Sequence, residues 1–271
     1  MNKTILLASI FLANTALATN TNNLVKINVE RLHQTCSCIN CDLHGADLKN
    51  FQPGSSNEKN NIFAKNLNGQ PWLICILSSA NLQGADLSNS NFTITMRGYL
   101  TPLVKSNFKN TDFSNANLSN SIFYGAKFLN ANFTNAKLDN SDLSLANLQG
   151  ANLTNASLIN VKAQMDTMHG WGANFESANF TKANLSNANL AGDFKSANFT
   201  NANLSNATLK NVTTDGQDGS WSGTNFENVN LKNTTLLDIN GKPSALEGAL
   251  FCNTIMPDGA VNNSDCKAGA K

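Results

Sequence analysis

The sequence predicts an all-β protein in which the chain winds into a coil and successive coils stack on one another. From Ser106 to Asn160 the chain consists of eleven consecutive five-residue units with no insertion or deletion. Each unit has Leu or Phe at its centre, and a small residue, usually Ala, stands two positions earlier. The remaining positions are polar and rich in Asn, Ser and Gly.

A period of five residues does not fit a straight helix or strand. Five steps along an α-helix rotate the next centre by roughly 140°, which would spread the Leu and Phe residues around the cylinder. Five steps along a flat strand place successive centres on opposite faces. Within one unit, however, the small and central residues are two apart and point the same way, and the polar residues then turn the chain. The chain therefore coils with its apolar pairs inside, and the coils must stack to bury them.

These units resemble the pentapeptide-repeat family, whose signature is A-[DN]-[LF]-x-x, and the clearest copies are ADLSN, ANLSN, ANFTN, ANLQG and ANLTN. The resemblance implies a right-handed quadrilateral β-helix with four units per coil. Residues twenty apart would then stack, so we expect Phe108 over Phe128, Phe113 over Phe133, and Leu118 over Leu138. About thirty units at four per coil predict about seven to eight coils in one domain.

The N-terminus resembles a secretory signal peptide over residues 1–18. Lys3 supplies the positive start, Ile5 to Leu12 is apolar but too short for stable membrane insertion, and Ala16-Leu17-Ala18 fits a cleavage site. The alternative is an uncleaved helix or lipid-facing anchor. Cleavage would leave 18 basic and 18 acidic residues, without the charge excess of a nucleic-acid binder. We therefore expect an exported protein, periplasmic or extracellular, that does not bind nucleic acid.

The six cysteines favour disulfides in an exported chain. Cys252 and Cys266 lie apart from the others, and a bridge between them would close the tail, with Asp258-Gly259 supplying its turn. This tail also resembles the C-terminal segment of exported family members. Cys38 and Cys41 have a spacing that permits a local bridge, and a Cys-x-x-Cys before the first repeat again resembles the family.

The pairing of Cys36 and Cys75 cannot be deduced, and two other interpretations of the N-terminal cysteines stay open. One is a zinc site that uses Cys36, Cys38 and Cys41 with His33 or His44, although one such spacing is a weak signal. The other is a thioredoxin-like redox pair, which lacks the surrounding βαβ pattern. The predicted organisation is a lead-in and cap at 19–40, the β-helix at 41–251 and a C-terminal cap at 252–271, with loop insertions in the β-helix.

The repeat is interrupted at four main places. Phe51 to Lys59, with Pro53-Gly54, and Thr93 to Lys105 lack the period and are predicted loops. Breaks after Leu158 and after Leu209 resemble each other, since each gives 17 residues between clear centres instead of 15, with Val early and Trp late.

All three Trp residues, and Tyr99, lie in degenerate units or breaks, where two interpretations stay open. The loops could fold back and pack a ring against the coil, or they could form a recognition site. The candidate interaction patch for the second interpretation consists of Met165, Met168, His169, Trp171, Trp221 and Tyr99, because Met and Trp are favoured at interfaces.

Motifs for catalysis, nucleotide binding or metal binding are missing, so no catalytic, cofactor or metal residue is predicted and we expect no enzyme. Three function classes remain. The first, which we favour, is an exported interaction scaffold for an unidentified protein partner, with no prediction of oligomeric state; a host- or envelope-directed bacterial protein fits it. The second is DNA mimicry, since relatives of this fold protect type II topoisomerases with an acidic rod, but a neutral chain argues against it. The third is a structural rod whose Asn and Thr rows contact polysaccharide, ice or envelope.

Overall fold

The computed structural model describes residues 23–32, 37–51, 77–90, 95–96, 99–100, 106–166, 170–211, 224–237, 246–256 and 258–266. Over these ranges the chain forms a short helix, α1 (23–32), followed by a right-handed β-helix of square cross-section. Most rungs of the β-helix are single-residue bridges, and nine short strands are named. They are β1 (Thr95–Met96), β2 (Tyr99–Leu100), β3 (Lys162–Ala163), β4 (Ala173–Asn174), β5 (Asn189–Asp193), β6 (Thr208–Asn211), β7 (Thr235–Leu237), β8 (Thr254–Ile255) and β9 (Val261–Asn262).

The strands form two sheets. β1 and β2 pair antiparallel as a two-stranded sheet. The other seven form one sheet in the order β3-β5-β6-β7-β8-β9, with β4 also paired to β5. Its pairs are parallel except β8 with β9. Parallel pairing of successive passes of the chain is what a coil that always winds in one direction requires.

Each regular coil has four sides and twenty residues. In the uninterrupted run, side 1 holds Asp112, side 2 Asn117, side 3 Ile122 and side 4 Lys127, and each pairs in parallel with the residue twenty further on. Side 2 is described over nine rungs from Asp47 to Leu250. At about 4.8 Å per step these nine rungs span eight turns and make the rod roughly 38 Å tall, so the predicted seven to eight coils are confirmed.

The interior consists of central Leu and Phe residues with the small residues between them. Phe108, Phe113, Phe128 and Phe133 are fully buried. The rings of Phe108 and Phe128 stack at 5.0 Å between centroids, and those of Phe113 and Phe133 at 4.9 Å. The predicted register of twenty is therefore confirmed.

The turns between sides depend on one residue in the left-handed conformation, two positions after the centre. Asn occupies most of these positions, as at Asn115, Asn120 and Asn140, with φ near +59°. The turn closes when the small residue of the next unit donates its N–H to the central carbonyl, as from Ala116 to Phe113 at 2.9 Å. Asn is favoured because it tolerates this conformation better than other residues with a Cβ.

The N-terminal cap contains a helix that the sequence analysis did not predict. α1 buries Leu32 completely and packs Val25 and Val29 against the core. Asn28, which is also buried, donates its Nδ2–H to the carbonyl of Asp42 at 2.8 Å. The spacing of these residues, at 25, 28, 29 and 32, is that of an amphipathic helix.

The coil pattern begins at residue 37, one unit before the predicted start at 41. Cys38 takes the central position of this unit and Cys41 the small position of the next. The two are joined by a disulfide, so they are not thiolate ligands of zinc. Cys36, Cys75 and His33 lie outside the described residues.

The C-terminal cap folds back over the last coil, as predicted. β9 runs antiparallel to β8, and Gly259, with φ at +79°, lies in the turn that joins them. The Cys252–Cys266 disulfide closes the cap. Asp265 accepts the N–H of Phe251 at 2.9 Å, and the backbone N–H of Asp265 donates to the carbonyl of Phe251 at 2.9 Å.

Candidate functional site

Every insertion into the described coil falls in the same part of the turn. Rungs on side 1 and side 2 are always five residues apart, from Asp42 and Asp47 to Asn225 and Asn230. One complete turn, by contrast, takes 39 residues from Asp42 to Asn81, 31 from Asn81 to Asp112, and 27 from Asn152 to Asn179 and from Asn198 to Asn225. The extra residues always lie between the start of side 3 and the end of side 4. We call this region the loop corner.

The two Trp and Tyr side chains that the structure describes, Tyr124 and Trp171, both lie in the loop corner. By sequence, Trp72, Tyr99 and Trp221 stand in the same intervals as the extra residues, but Trp72, Trp221 and the side chain of Tyr99 lie outside the described residues. Among the described residues, sides 1 and 2 carry no Trp or Tyr. The described aromatic residues best suited to protein interfaces therefore lie on one part of the rod.

The insertion after β3 differs in register from the pattern seen in the sequence. Val161, Lys162 and Ala163 continue the coil as a regular unit, with Ala163 fully buried at its centre. The chain leaves after this unit and rejoins side 4 at β4, so seven extra residues enter at one place. In the sequence, this break looked like two extra residues spread over three units. In the structure it is one insertion of seven residues after the unit centred on Ala163.

The two described arms of this loop are hydrogen-bonded to each other and to the coil. Asp166 donates its N–H to the carbonyl of Trp171, and Gly170 donates its N–H to the carbonyl of Asp166, both at 2.8 Å. Gln164 donates its N–H to the Ser144 hydroxyl at 2.8 Å. The loop is thus fixed to the coil at its start and closed upon itself.

The predicted patch is only partly described. Met165 and Trp171 lie on the two arms of this loop, and both are half-buried. Tyr99 belongs to β2, of which only the backbone is described. Met168, His169 and Trp221 lie outside the described residues. The structure thus places Met165 and Trp171 on two arms that the Asp166–Trp171 hydrogen bond joins, and the interaction patch itself stays a prediction.

Two residues of the loop corner were missed in the sequence analysis. Ser144 and Leu145 end side 3 one coil before the loop, and they are only 5% and 7% exposed. Leu145 has φ at +57°, in the turn position that Asn or Gly fills in the rest of the uninterrupted run. An apolar residue at that position was the signal that could have identified it.

Tyr124 lies at the turn between side 3 and side 4, one coil before the coil of Ser144 and Leu145. Partial burial raises the pKa of its phenol, and the negative charges of Asp166 and Asp142 raise the pKa further. Asp166 belongs to the loop that begins two coils above, and its charge acts on Tyr124 from there.

Beyond the loop, the chain turns the same corner with one residue fewer. β5 runs through the corner as a continuous strand, and 19 residues separate Asn179 from Asn198. A Cβ on Gly192 would lie 2.5 Å from the carbonyl oxygen of Ala173 and 2.9 Å from the ring of Phe175. Glycine is needed here because β4 and the Phe175 ring approach the strand closely.

Side 1 carries a hydrogen-bonded ladder rather than free polar groups. Thr154 donates its hydroxyl hydrogen to Oδ1 of Asn152 at 2.6 Å and accepts the Nδ2–H of Asn179, in the next coil, at 3.1 Å. The same arrangement repeats at Thr134, Thr181 and Thr200. Because these hydroxyls bond within the ladder, side 1 offers few unpaired groups to a ligand.

Among the described residues, no group of three or more His, Cys, Asp or Glu side chains could hold a metal ion. Within the same ranges, no helix has the length and apolar character needed to cross a bilayer.

The family model described as Pentapeptide repeats matches eight copies, over residues 75–93, 103–128, 126–162, 171–192 and 193–213. The protein is a β-helical repeat scaffold that carries its loops along one corner. The chain belongs to the pentapeptide-repeat proteins. No curated protein sequence matches it significantly.

Several solved structures are similar to this chain. HetL, a pentapeptide-repeat protein of the cyanobacterium Nostoc sp. involved in regulating heterocyst differentiation, is 24% identical over 83% of this chain and 92% of its own, with a TM-score of 0.34. QnrB1, a plasmid-mediated fluoroquinolone resistance protein, is 18% identical over 79% of this chain and 89% of its own, with a TM-score of 0.48. A pentapeptide-repeat protein of the Arabidopsis thaliana thylakoid lumen is 25% identical over 56% of this chain and 68% of its own, with a TM-score of 0.21.

Proposed function

We propose that this protein is an exported, non-enzymatic scaffold that binds a protein partner through its loop corner. The observation that carries the proposal is the common position of the insertions. Between the described rungs, all extra residues enter at the loop corner, and the described side chains of Tyr124 and Trp171 lie there too. In repeat proteins, insertions that map to one face often mark the binding face, and Trp and Tyr are enriched among the residues that dominate binding energy.

The remaining surface supports this choice over the other two function classes. Side 2 carries both acidic and basic residues among neutral Asn and Ser, as at Asp47 with Lys49 and Lys137 with Asp139, rather than the continuous negative charge of a DNA mimic. Side 1 bonds its Asn and Thr groups to each other, which weakens the case for a polysaccharide- or ice-binding face.

Export is part of the proposal. It is supported by the signal-like residues 1–18 and by the Cys38–Cys41 and Cys252–Cys266 bridges, since such bridges persist in oxidising compartments. Fractionation of the producing cell, with N-terminal sequencing and non-reduced intact mass, tests it. A mature chain that begins at Thr19, outside the cytoplasm and with its bridges formed, is expected. An intact, reduced chain in the cytoplasm would contradict export and restore the DNA-mimic alternative.

The binding proposal is tested by affinity capture from the envelope and culture medium of the producing cell. The test variant carries Met165→Ser and Trp171→Ser at the loop corner, and the matched control carries Lys137→Ser and Lys232→Ser on side 2. We expect the wild type and the control to retain the same partner and the test variant to lose most of it. A partner that all three proteins retain equally would remove this part of the corner from consideration.

A further inference from the structure

The turns of the β-helix are exposed almost everywhere, but two of them are covered. Of the left-handed residues in the described coil turns, only Gly125 and Leu145 are buried, and both turn from side 3 to side 4. The equivalent Asn residues at the other corners, such as Asn120 and Asn140, are exposed. A turn residue points away from the core, so the burial of Leu145 requires a cover from outside the coil.

The loop after β3 is placed to provide that cover. Gln164 fixes the start of the loop to Ser144, the residue before Leu145. The loop then places Asp166 close enough to Tyr124, two coils below, to act on it electrostatically. Leu145 follows Ser144 directly in the coil that lies between these two, so it lies beside the segment that runs from Ser144 towards Tyr124.

Leucine is an unfavourable choice for this turn unless its side chain has a packing role. The left-handed conformation disfavours residues with a Cβ, and Asn or Gly fills the same position in every other unit of the uninterrupted run. The side chain of Leu145 is only 7% exposed, so the free energy of burying it offsets the cost of the left-handed backbone conformation.

We infer that Leu145 is a positioning residue, an apolar seat that holds the loop arms 164–166 and 170–172 against the corner in one orientation. Met165 and Trp171 are then displayed in a fixed arrangement before any partner arrives. A surface ordered in advance loses less conformational entropy on binding. This consequence for affinity rests on the function proposed above, whereas the seating of the loop does not.

The test compares amide hydrogen exchange in the wild type, Leu145→Asn and Leu145→Gly. Both replacements adopt the left-handed conformation readily and leave the turn intact, but they remove the apolar seat. We expect exchange in 164–166 and 170–172 to accelerate at least tenfold while the central coils keep their protection. Asn140→Gly, at the preceding corner of the same coil, keeps the left-handed turn and is the matched control, which should leave the loop unchanged.

Titration of Tyr124 gives a second readout in a Tyr99→Phe background. When the loop is released, Asp166 moves away and the phenol becomes more accessible, so the raised pKa of Tyr124 should fall towards its ordinary value. Loop exchange within twofold of the wild type in both variants, with an unchanged Tyr124 titration, would overturn the inference. Acceleration throughout the coil in both variants would also overturn it, because Leu145 would then support the coil rather than the loop.

Partner capture separates this inference from the proposed function. If Leu145→Asn releases the loop and weakens capture, both stand. If it releases the loop and the partner is retained unchanged, the seating stands and the loop is not the binding surface.

Discussion

Replacement of Phe128 by Ala tests whether the stacked rings hold neighbouring coils together. Phe128 is fully buried, stacks on Phe108 at 5.0 Å, and meets Phe113, Phe123 and Phe133 edge-on at 5.8, 5.3 and 5.2 Å. Truncation of a buried Phe to Ala costs about 3–5 kcal/mol. Each aromatic pair contributes about 0.5–1.5 kcal/mol beyond its buried area, so four ring contacts place Phe128→Ala near the upper end of that range.

Phe128→Leu separates the volume of the side chain from its ring contacts. Leu fills the same central position in other units, such as Leu138 and Leu148, so most of the apolar volume is kept. The expected cost is about 2–3 kcal/mol, from four lost ring pairs near the lower end of their range. The assay is equilibrium urea unfolding followed by circular dichroism, with the exposed neighbour Lys127→Ala as a control expected to stay within about 0.5 kcal/mol of the wild type. A cost for Phe128→Leu equal to that for Phe128→Ala would refute the division into volume and stacking. A cost below about 1.5 kcal/mol for Phe128→Ala would refute the packing argument as a whole.

Three further predictions concern the cap and the surface. Replacement of Cys252 and Cys266 by Ser should lower stability by about 3 kcal/mol in the chain-entropy model, measured by urea unfolding with and without reductant; equal values for the variant and the oxidised wild type would contradict it. The hydrogen bond from the Phe251 N–H, and then that from the Ser264 hydroxyl, lower the pKa of Asp265. The ionised carboxylate therefore stabilises the cap fully above the ordinary pKa of about 3.9. This contribution to stability is lost as the pH falls through the lower pKa of the folded state. Amide exchange in the cap should therefore accelerate over that window in the wild type but not in Asp265→Ala. Thr154→Ala should cost only about 1 kcal/mol by urea unfolding, because the ladder is half-exposed, and a cost above about 3 kcal/mol would show strong cooperativity.

The coil could be predicted from the sequence because its period appears in nearly every unit. A small residue, a central Leu or Phe and a turn residue recur at fixed spacing, and each has a separate physical reason to be there. The stacking of Phe108 on Phe128 followed directly from four units per coil. Helix α1 was not predicted although its apolar spacing is regular. It is only ten residues long and precedes a long repeat, so the segment was assigned as a lead-in.

The common position of the loops could not be read from the sequence, because it depends on which side of the square each unit occupies. The unit that contains Ala163 at its centre hides the register, since it lacks the Leu or Phe that marks other units. Once the bridges place that unit on side 3, the insertions of different lengths fall at one corner. Leu145 is different, because the sequence itself shows Leu where other units have Asn or Gly. Only its role in holding the loop had to come from the structure.

Because all described insertions enter at the loop corner, the rod sets the spacing between its loops in fixed steps. Because every coil adds one rung to each side, the distance between two loops along the axis is a whole number of steps of about 4.8 Å. The coils of Phe123 and Leu143, which carry no insertion, act as spacers between the second and third loops. Deletion of twenty residues there would bring these loops one step closer without rotating either of them, so the spacing of contact points to a partner can change in units while the fold is retained.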